Sequence, residues 1–367
     1  MKLLRLNHIN TLLVLGAFIA SLFFNGIDIR FFAFVYLLLL GWILSSGITV
    51  YRKGNEVGNL LIPVSMILFW LWLGIDIVFS QVFYLSVVNF WWVGVFPLVF
   101  LAYSFSPDKE ALWNQIFTLL VLTIVGLGIY ALYQVFILHD QPRAIFYNKN
   151  SFAALINLLF FPVLVYFLQI NNKRQLMSYT STVFLFSLLL GLINSRGALL
   201  AFLVGLLLLF GLVIKQVSPR RLGLAALIII LGFSMATLVQ QYAPQIISSN
   251  IVERLGTLQY TAGAGHGRFV IWQPAWDLFL QQPWTGIGLG TYFLAIPPTL
   301  NIDDHSAGFY VHNDYLQIAL ETGIPGFILL LLILLATLSR LIKSLRATRM
   351  DRPQRLHMLA LFVALLT

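Results

Sequence analysis

His312 opens the stretch HNDYLQIALETGIPG, at the point where a long polar loop runs back into an apolar region. Imidazole titrates near neutrality, with an ordinary pKa of about 6.5, so a histidine here can take a proton from a hydroxyl group. Arg196 in INSRGALLAF and Arg268 in GHGRFVIW are suited to a different task. A guanidinium is a planar fork that makes charge-assisted, often bidentate bonds to phosphate oxygens. One base and two fixed cations fit a reaction in which a hydroxyl attacks and a phosphate departs. Each residue also has a plainer reading. His312 can cap or pack a helix, Arg196 can snorkel to lipid headgroups, and Arg268 can simply touch them. Against the plainer reading, Arg196 lies in a turn of a few residues with no acidic neighbour in sequence, and an arginine so placed at a membrane margin is a functional candidate. Arg268 falls in the first turn of a helix, where free N–H groups and a partial positive charge also favour an anion.

Other polar residues are weaker candidates. In HDQPRAIFYNKNSFAAL, Pro142 breaks one helix and Asn148, Asn150 or Ser151 can cap the next. The alternative is a polar rim in which Arg143, Lys149 and the amides of Asn148 and Asn150 face a sugar or phosphate. Asn313 and Asp314 flank His312 and are further contact candidates; Asp314, two residues on, does not share a helix face with it. His266, His305, Asp303 and Asp304 share the loop but show no H-x-x-x-H or H-x-x-E ligand spacing, so no metal and no cofactor is expected. Gly286, Gly288 and Gly290 in GIGLGTYF have no βαβ unit around them and read as a tight turn rather than a nucleotide loop.

The elements that must position these residues are membrane helices. Of 367 residues, 60% are hydrophobic and only 10% charged, with mean hydropathy +0.90, whereas a soluble domain carries about 25% charged residues. Continuous, non-alternating apolar runs exclude a barrel. The expected spans are 9–25, 31–50, 59–79, 82–103, 112–138, 151–170, 177–194, 197–215, 222–241 and 322–345. The first is read as an uncleaved span, because MKLLRLNHINTLLVLGAF lacks a small-x-small cleavage site. Leu356–Thr367 is too short to cross and is read as part of a truncated eleventh span. The fold class is therefore all-α: a polytopic membrane protein of about 10–12 helices. Residues 1–241 form membrane helices, 242–311 one large external loop, and 312–367 the histidine motif and C-terminal helices. Cysteine is absent, which removes disulfides and thiol chemistry.

Orientation follows from charge. With a cytoplasmic N-terminus, 16 of the 22 Lys and Arg residues fall on the cytoplasmic side, so the net charge of +9 reflects topology rather than nucleic-acid binding. The exceptions are Arg30, Arg143, Lys149, Arg196, Arg254 and Arg268, and the long loop lies outside the cytoplasm. Within that loop, Phe269, Trp272, Trp276, Phe279 and Leu280 recur at helical spacing up to Pro283, an apolar face suited to the lipid interface.

HNDYLQIALETGIPG resembles the histidine motif of the O-antigen ligase/polymerase superfamily. RFVIWQPAWDLFLQQPWTGIGLGTYF is similar to that family's preceding Arg–Trp–Pro–Gly segment, and SRGALLAF and FYNKNSFAAL to its upstream motifs. The likeness covers about 110–340. It implies a metal-independent glycosyltransferase of the bacterial inner membrane with a periplasmic active site. The donor would be a glycan on undecaprenyl diphosphate, and the acceptor a lipid A core, another glycan or a protein hydroxyl. His312 matches the family's proposed base, and Arg196 and Arg268 the arginines that hold the diphosphate. The weighting favours ligase or polymerase over protein O-oligosaccharyltransferase. The rivals from other classes are a lipid-linked glycan flippase, which should carry charges through the bilayer where only Asp76 stands clearly mid-span, and a structural membrane subunit.

Overall fold

A computed structural model describes residues 29–53, 61–106, 109–146, 148–214, 216–242, 266–295, 310–346 and 363. Every regular element among them is helical: α1 (Ile29–Lys53), α2 (Leu61–Asp76), α3 (Phe83–Ser104), α4 (Lys109–Phe136), α5 (Lys149–Gln169), α6 (Lys173–Ile193), α7 (Arg196–Val213), α8 (Pro219–Tyr242), α9 (His266–Gln281), α10 (Tyr292–Ala295) and α11 (Asp314–Arg346). Among the described residues eight helices are long and apolar enough to cross a membrane, and Ala33–Ile48 of α1 is a shorter apolar stretch. A polytopic all-α membrane protein is what the apolar runs predicted. The expected span at 9–25, the run at 356–367 apart from residue 363, and most of the long loop lie outside the described residues.

The chain divides into two compact units, Met1–Ile116 with Tyr260–Thr337, and Phe117–Gln259 with Leu338–Thr367. In the first, α1 packs on α3: Val35, Leu39 and Trp42 bury against Ala102 and the start of α4 at Leu112. The Trp42 indole reaches the Ser106 hydroxyl at 3.1 Å, so the polar end of a buried ring is satisfied. A second core joins α9 to the histidine segment through Ile271, Ala275, Ile287, Tyr292, Val311 and Leu320.

In the second unit α5 is central, buried along most of its length from Phe152 to Leu168, whereas α7 is buried along one side at Leu199, Phe202, Leu209 and Val213. Lipid is as apolar as leucine, so helices associate through close packing and interhelical hydrogen bonds rather than through escape from water. Both devices are present. Phe202 of α7 meets Phe160 edge-on at 4.8 Å, Gln240 donates to the Gly191 carbonyl at 2.9 Å, and Asn157 donates to the Ala198 carbonyl at 2.8 Å.

The last span, expected at 322–345, follows a short helix that begins at Asp314 just after His312, and the two are separated by an interruption at Gly323 (φ 68°, ψ −179°).

Candidate active site

The histidine segment is held from several sides within the first unit. Val311 is fully buried. Its carbonyl accepts from the Trp272 indole at 3.0 Å, and its N–H donates to the Gln317 side-chain oxygen at 3.3 Å. His312 follows, half-buried, with φ 55°. That left-handed region costs a non-glycine residue on the order of 1–3 kcal/mol and persists only where the surroundings impose it. Asn313 then starts the helix. Its side-chain oxygen accepts from Leu316 N–H at 3.2 Å and its carbonyl from Gln317 N–H at 2.9 Å. Asp314 is exposed in the first turn, where its charge complements the helix dipole. Both neighbours of His312 therefore have local structural work.

The half-helix from Asp314 ends against the glycine turn. Pro325 has no N–H to give the carbonyl of Glu321, four residues back. That carbonyl accepts instead from Gly288 N–H at 3.0 Å, the Leu320 carbonyl from Ile287 N–H at 3.0 Å, and the Thr322 carbonyl from the Trp72 indole at 2.9 Å. Ile324 N–H turns away to Pro283 at 2.8 Å. Gly286, Gly288 and Gly290 all have positive φ, as a tight turn demands. At Gly323 a Cβ would strike the Trp284 carbonyl.

Sequence reasoning passed over Glu321. It is 3% exposed, and its carboxylate accepts from Gly290 N–H at 2.9 Å, Tyr292 N–H at 3.3 Å and the Gln317 amide at 3.2 Å. An acid inside an apolar helix, four residues after a glutamine on the same face, was the signal available.

Helix α9 carries Arg268 in its first turn, as its sequence predicted. Ile271 and Ala275 are fully buried, Trp272 and Phe279 pack beside them, and Trp276 and Leu280 are exposed. The helix is therefore docked on the histidine segment through Ile271, Ala275 and Trp272, with Trp276 and Leu280 on the outer side.

The second unit holds the remaining candidates. α6 ends at Ile193, Asn194 adopts the left-handed conformation (φ 52°) and Ser195 precedes α7 with no side-chain cap. Asn is among the few residues that enter this region readily, which explains so short a turn. Arg196 is the first residue of α7, half-buried. Its Nε is buried with no hydrogen-bond partner, and among the described residues no carboxylate pairs with it. Arg143 differs: it pairs with Asp140 at 3.0 Å on an exposed turn, and buried Gln134 holds that turn by accepting from the N–H groups of Arg143 (3.2 Å) and Ala144 (2.8 Å). Asn148 caps α5, accepting from Asn150 N–H at 2.8 Å, and Lys149 and Asn150 are its first residues.

His312, Asn313, Asp314 and the Arg268 turn thus belong to one compact unit, and Arg196, Arg143, Asn148, Lys149 and Asn150 to the other. Among the described residues no three His, Asp or Glu side chains form a group able to hold a metal ion.

Residues 181–342 match the family described as O-Antigen ligase, a segment that contains Arg196, Arg268 and His312. No curated protein matches the chain.

Proposed function

We propose that this multi-pass membrane protein, whose residues 181–342 match the O-antigen ligase family, is a glycosyltransferase of that general type and transfers a glycan from undecaprenyl diphosphate to an acceptor hydroxyl at the periplasmic face of the bacterial inner membrane. His312 takes the proton of the acceptor hydroxyl as its oxygen bonds to the anomeric carbon. The carbon–oxygen bond to the diphosphate breaks, and its electron pair leaves with the lipid diphosphate. Arg196 and Arg268 stabilise that departing charge, as preorganised cations do most effectively where water is scarce. No metal is needed in this scheme. A single displacement of this kind inverts the anomeric centre.

The observation that carries the reading is Arg196. A half-buried guanidinium that among the described residues pairs with no carboxylate and has no hydrogen-bond partner at Nε, at a helix start without a side-chain cap, is matched to an anionic ligand. The positive-inside distribution of Lys and Arg supports the periplasmic placement. O-antigen ligation or polymerisation is favoured over protein glycosylation by the family description alone.

The test is transfer by purified protein in detergent or nanodiscs, supplied with undecaprenyl-diphosphate glycan and offered lipid A core, a second donor molecule and a hydroxyl-bearing peptide in parallel. A covalent product identifies the acceptor; movement of donor across a vesicle with no product in any arm would instead make the protein a flippase. In the same assay Arg196→Lys keeps the charge but loses the fork. Transfer should fall about tenfold to a hundredfold, the worth of a hydrogen bond to a charged group. Arg268→Ala should lose at least as much, with membrane insertion unchanged.

A further inference from the structure

We propose that Gln317 and Trp272 are positioning residues that set the His312 ring by holding the N–H and the carbonyl of the residue before it, and that Glu321 fixes which way Gln317 points. The proposal rests on the reading of His312 as the base. An amide side chain can present either its oxygen or its NH₂ to a given neighbour, so its direction must be imposed by partners. Glu321 imposes it. The carboxylate oxygen that accepts from Tyr292 N–H also accepts from the Gln317 NH₂ at 3.2 Å, which leaves the Gln317 oxygen for Val311 N–H at 3.3 Å. Glu321 is itself held by two backbone N–H groups of the glycine turn, those of Gly290 and Tyr292. Trp272 takes the other side of the residue, the Val311 carbonyl, at 3.0 Å.

The relay therefore runs from the turn through Glu321 and Gln317 to Val311, and its end point is the residue before His312. Val311 is buried and held at both its polar atoms, which leaves its successor little choice of backbone geometry. That accounts for a non-glycine residue at φ 55° in this position. None of the three side chains needs to touch substrate. Their effect is on where the imidazole stands when the hydroxyl arrives, and a displacement of about 1 Å can cost a hundredfold in rate.

The experiment compares Gln317→Leu, Trp272→Phe, the exchange Q317E/E321Q and His312→Ala in the transfer assay. Histidine-labelled protein is examined by NMR in parallel, the His312 ring signals being those lost in His312→Ala. In Gln317→Leu, kcat should fall at least about tenfold with KM for the lipid-linked donor within about twofold, and the His312 signals should shift or broaden. The exchange keeps an acceptor for Val311 N–H and a donor between the two side chains but turns an amide NH₂ toward one of the two turn N–H groups, so it should recover kcat only part of the way from Gln317→Leu. Trp272→Phe keeps the ring and removes one hydrogen bond, so it carries the test alone if Gln317→Leu does not fold.

Unchanged kcat and unchanged His312 signals in the folded single variants overturn the proposal, as does an exchange variant that folds but shows no recovery. Full transfer by His312→Ala, with His312 signals that still shift in Gln317→Leu, would remove the base reading and leave the positioning intact. A dead His312→Ala beside an unaffected Gln317→Leu would do the reverse.

Discussion

Replacing His312 by alanine is expected to lower glycan transfer by about 10²–10⁴-fold, the usual contribution of a positioned general base. The acceptor hydroxyl is a poor nucleophile until its proton has somewhere to go, and alanine supplies nothing. The backbone makes a second substitution more informative. His312 sits at φ 55°, a region asparagine and glycine enter more readily than histidine or alanine. His312→Asn should therefore be as inactive as His312→Ala yet fold at least as well, whereas the alanine variant keeps the strain. Transfer rate and thermal unfolding midpoint, measured on both, separate the base from the backbone. Wild-type activity in His312→Asn would sink the assignment. An inactive variant more stable than wild type would identify strain held at the site for function's sake.

The second large effect is expected at Gly323. Its φ of 68° and ψ of −179° fall in a region that is essentially glycine's alone, and an added Cβ meets the Trp284 carbonyl. Gly323→Val combines both faults. The helix cannot simply straighten to escape, because Pro325 would still leave the Glu321 carbonyl without a helical donor. Loss of at least about 3 kcal/mol is expected from a forbidden conformation together with a clash. The readout is the yield of monodisperse protein and its unfolding temperature in detergent, with Leu332→Ala, an exposed position of the same helix, as a comparison. Equal stability of Gly323→Val and wild type would mean that the interruption is not imposed by this residue.

The spans were legible because hydropathy is a property of windows, and a continuous apolar run has few alternatives. Helix ends fell within a few residues of expectation wherever a capping residue or proline marked them, as at Asn148 and Asn172. The placement of His312 at a helix head was equally readable from the short polar run that follows it. What could not be read was pairing over distance. Trp272 and Val311 are 39 residues apart, and Trp72 and Thr322 are 250 apart; no local pattern announces either. Other pairings are local. Asp140, three residues from Arg143, forms an ion pair with it. Asn148 and Asn313 accept at helix starts, the capping alternative that small polar residues before an apolar run offer. The aromatic stripe of α9 was legible as a helix face, but not its division: Ile271 and Ala275 are buried with Trp272 and Phe279 packed beside them, while Trp276 and Leu280 are exposed.

The interruption at Gly323 has a kinetic consequence. A continuous helix of this length would exchange its amide hydrogens as one cooperative ladder, slowest in the middle. Here the last carbonyls of the first half are held by the glycine turn and the Trp72 indole, so opening the half-helix requires the turn to let go. Residues 315–322 and the amides of Ile287, Gly288 and Gly290 should therefore exchange with deuterium together, as one small unit of local unfolding. The amides of 327–340 should report a slower, separate opening. Residues 286–290 are a loop by shape, but by exchange they should behave as the last turn of a helix.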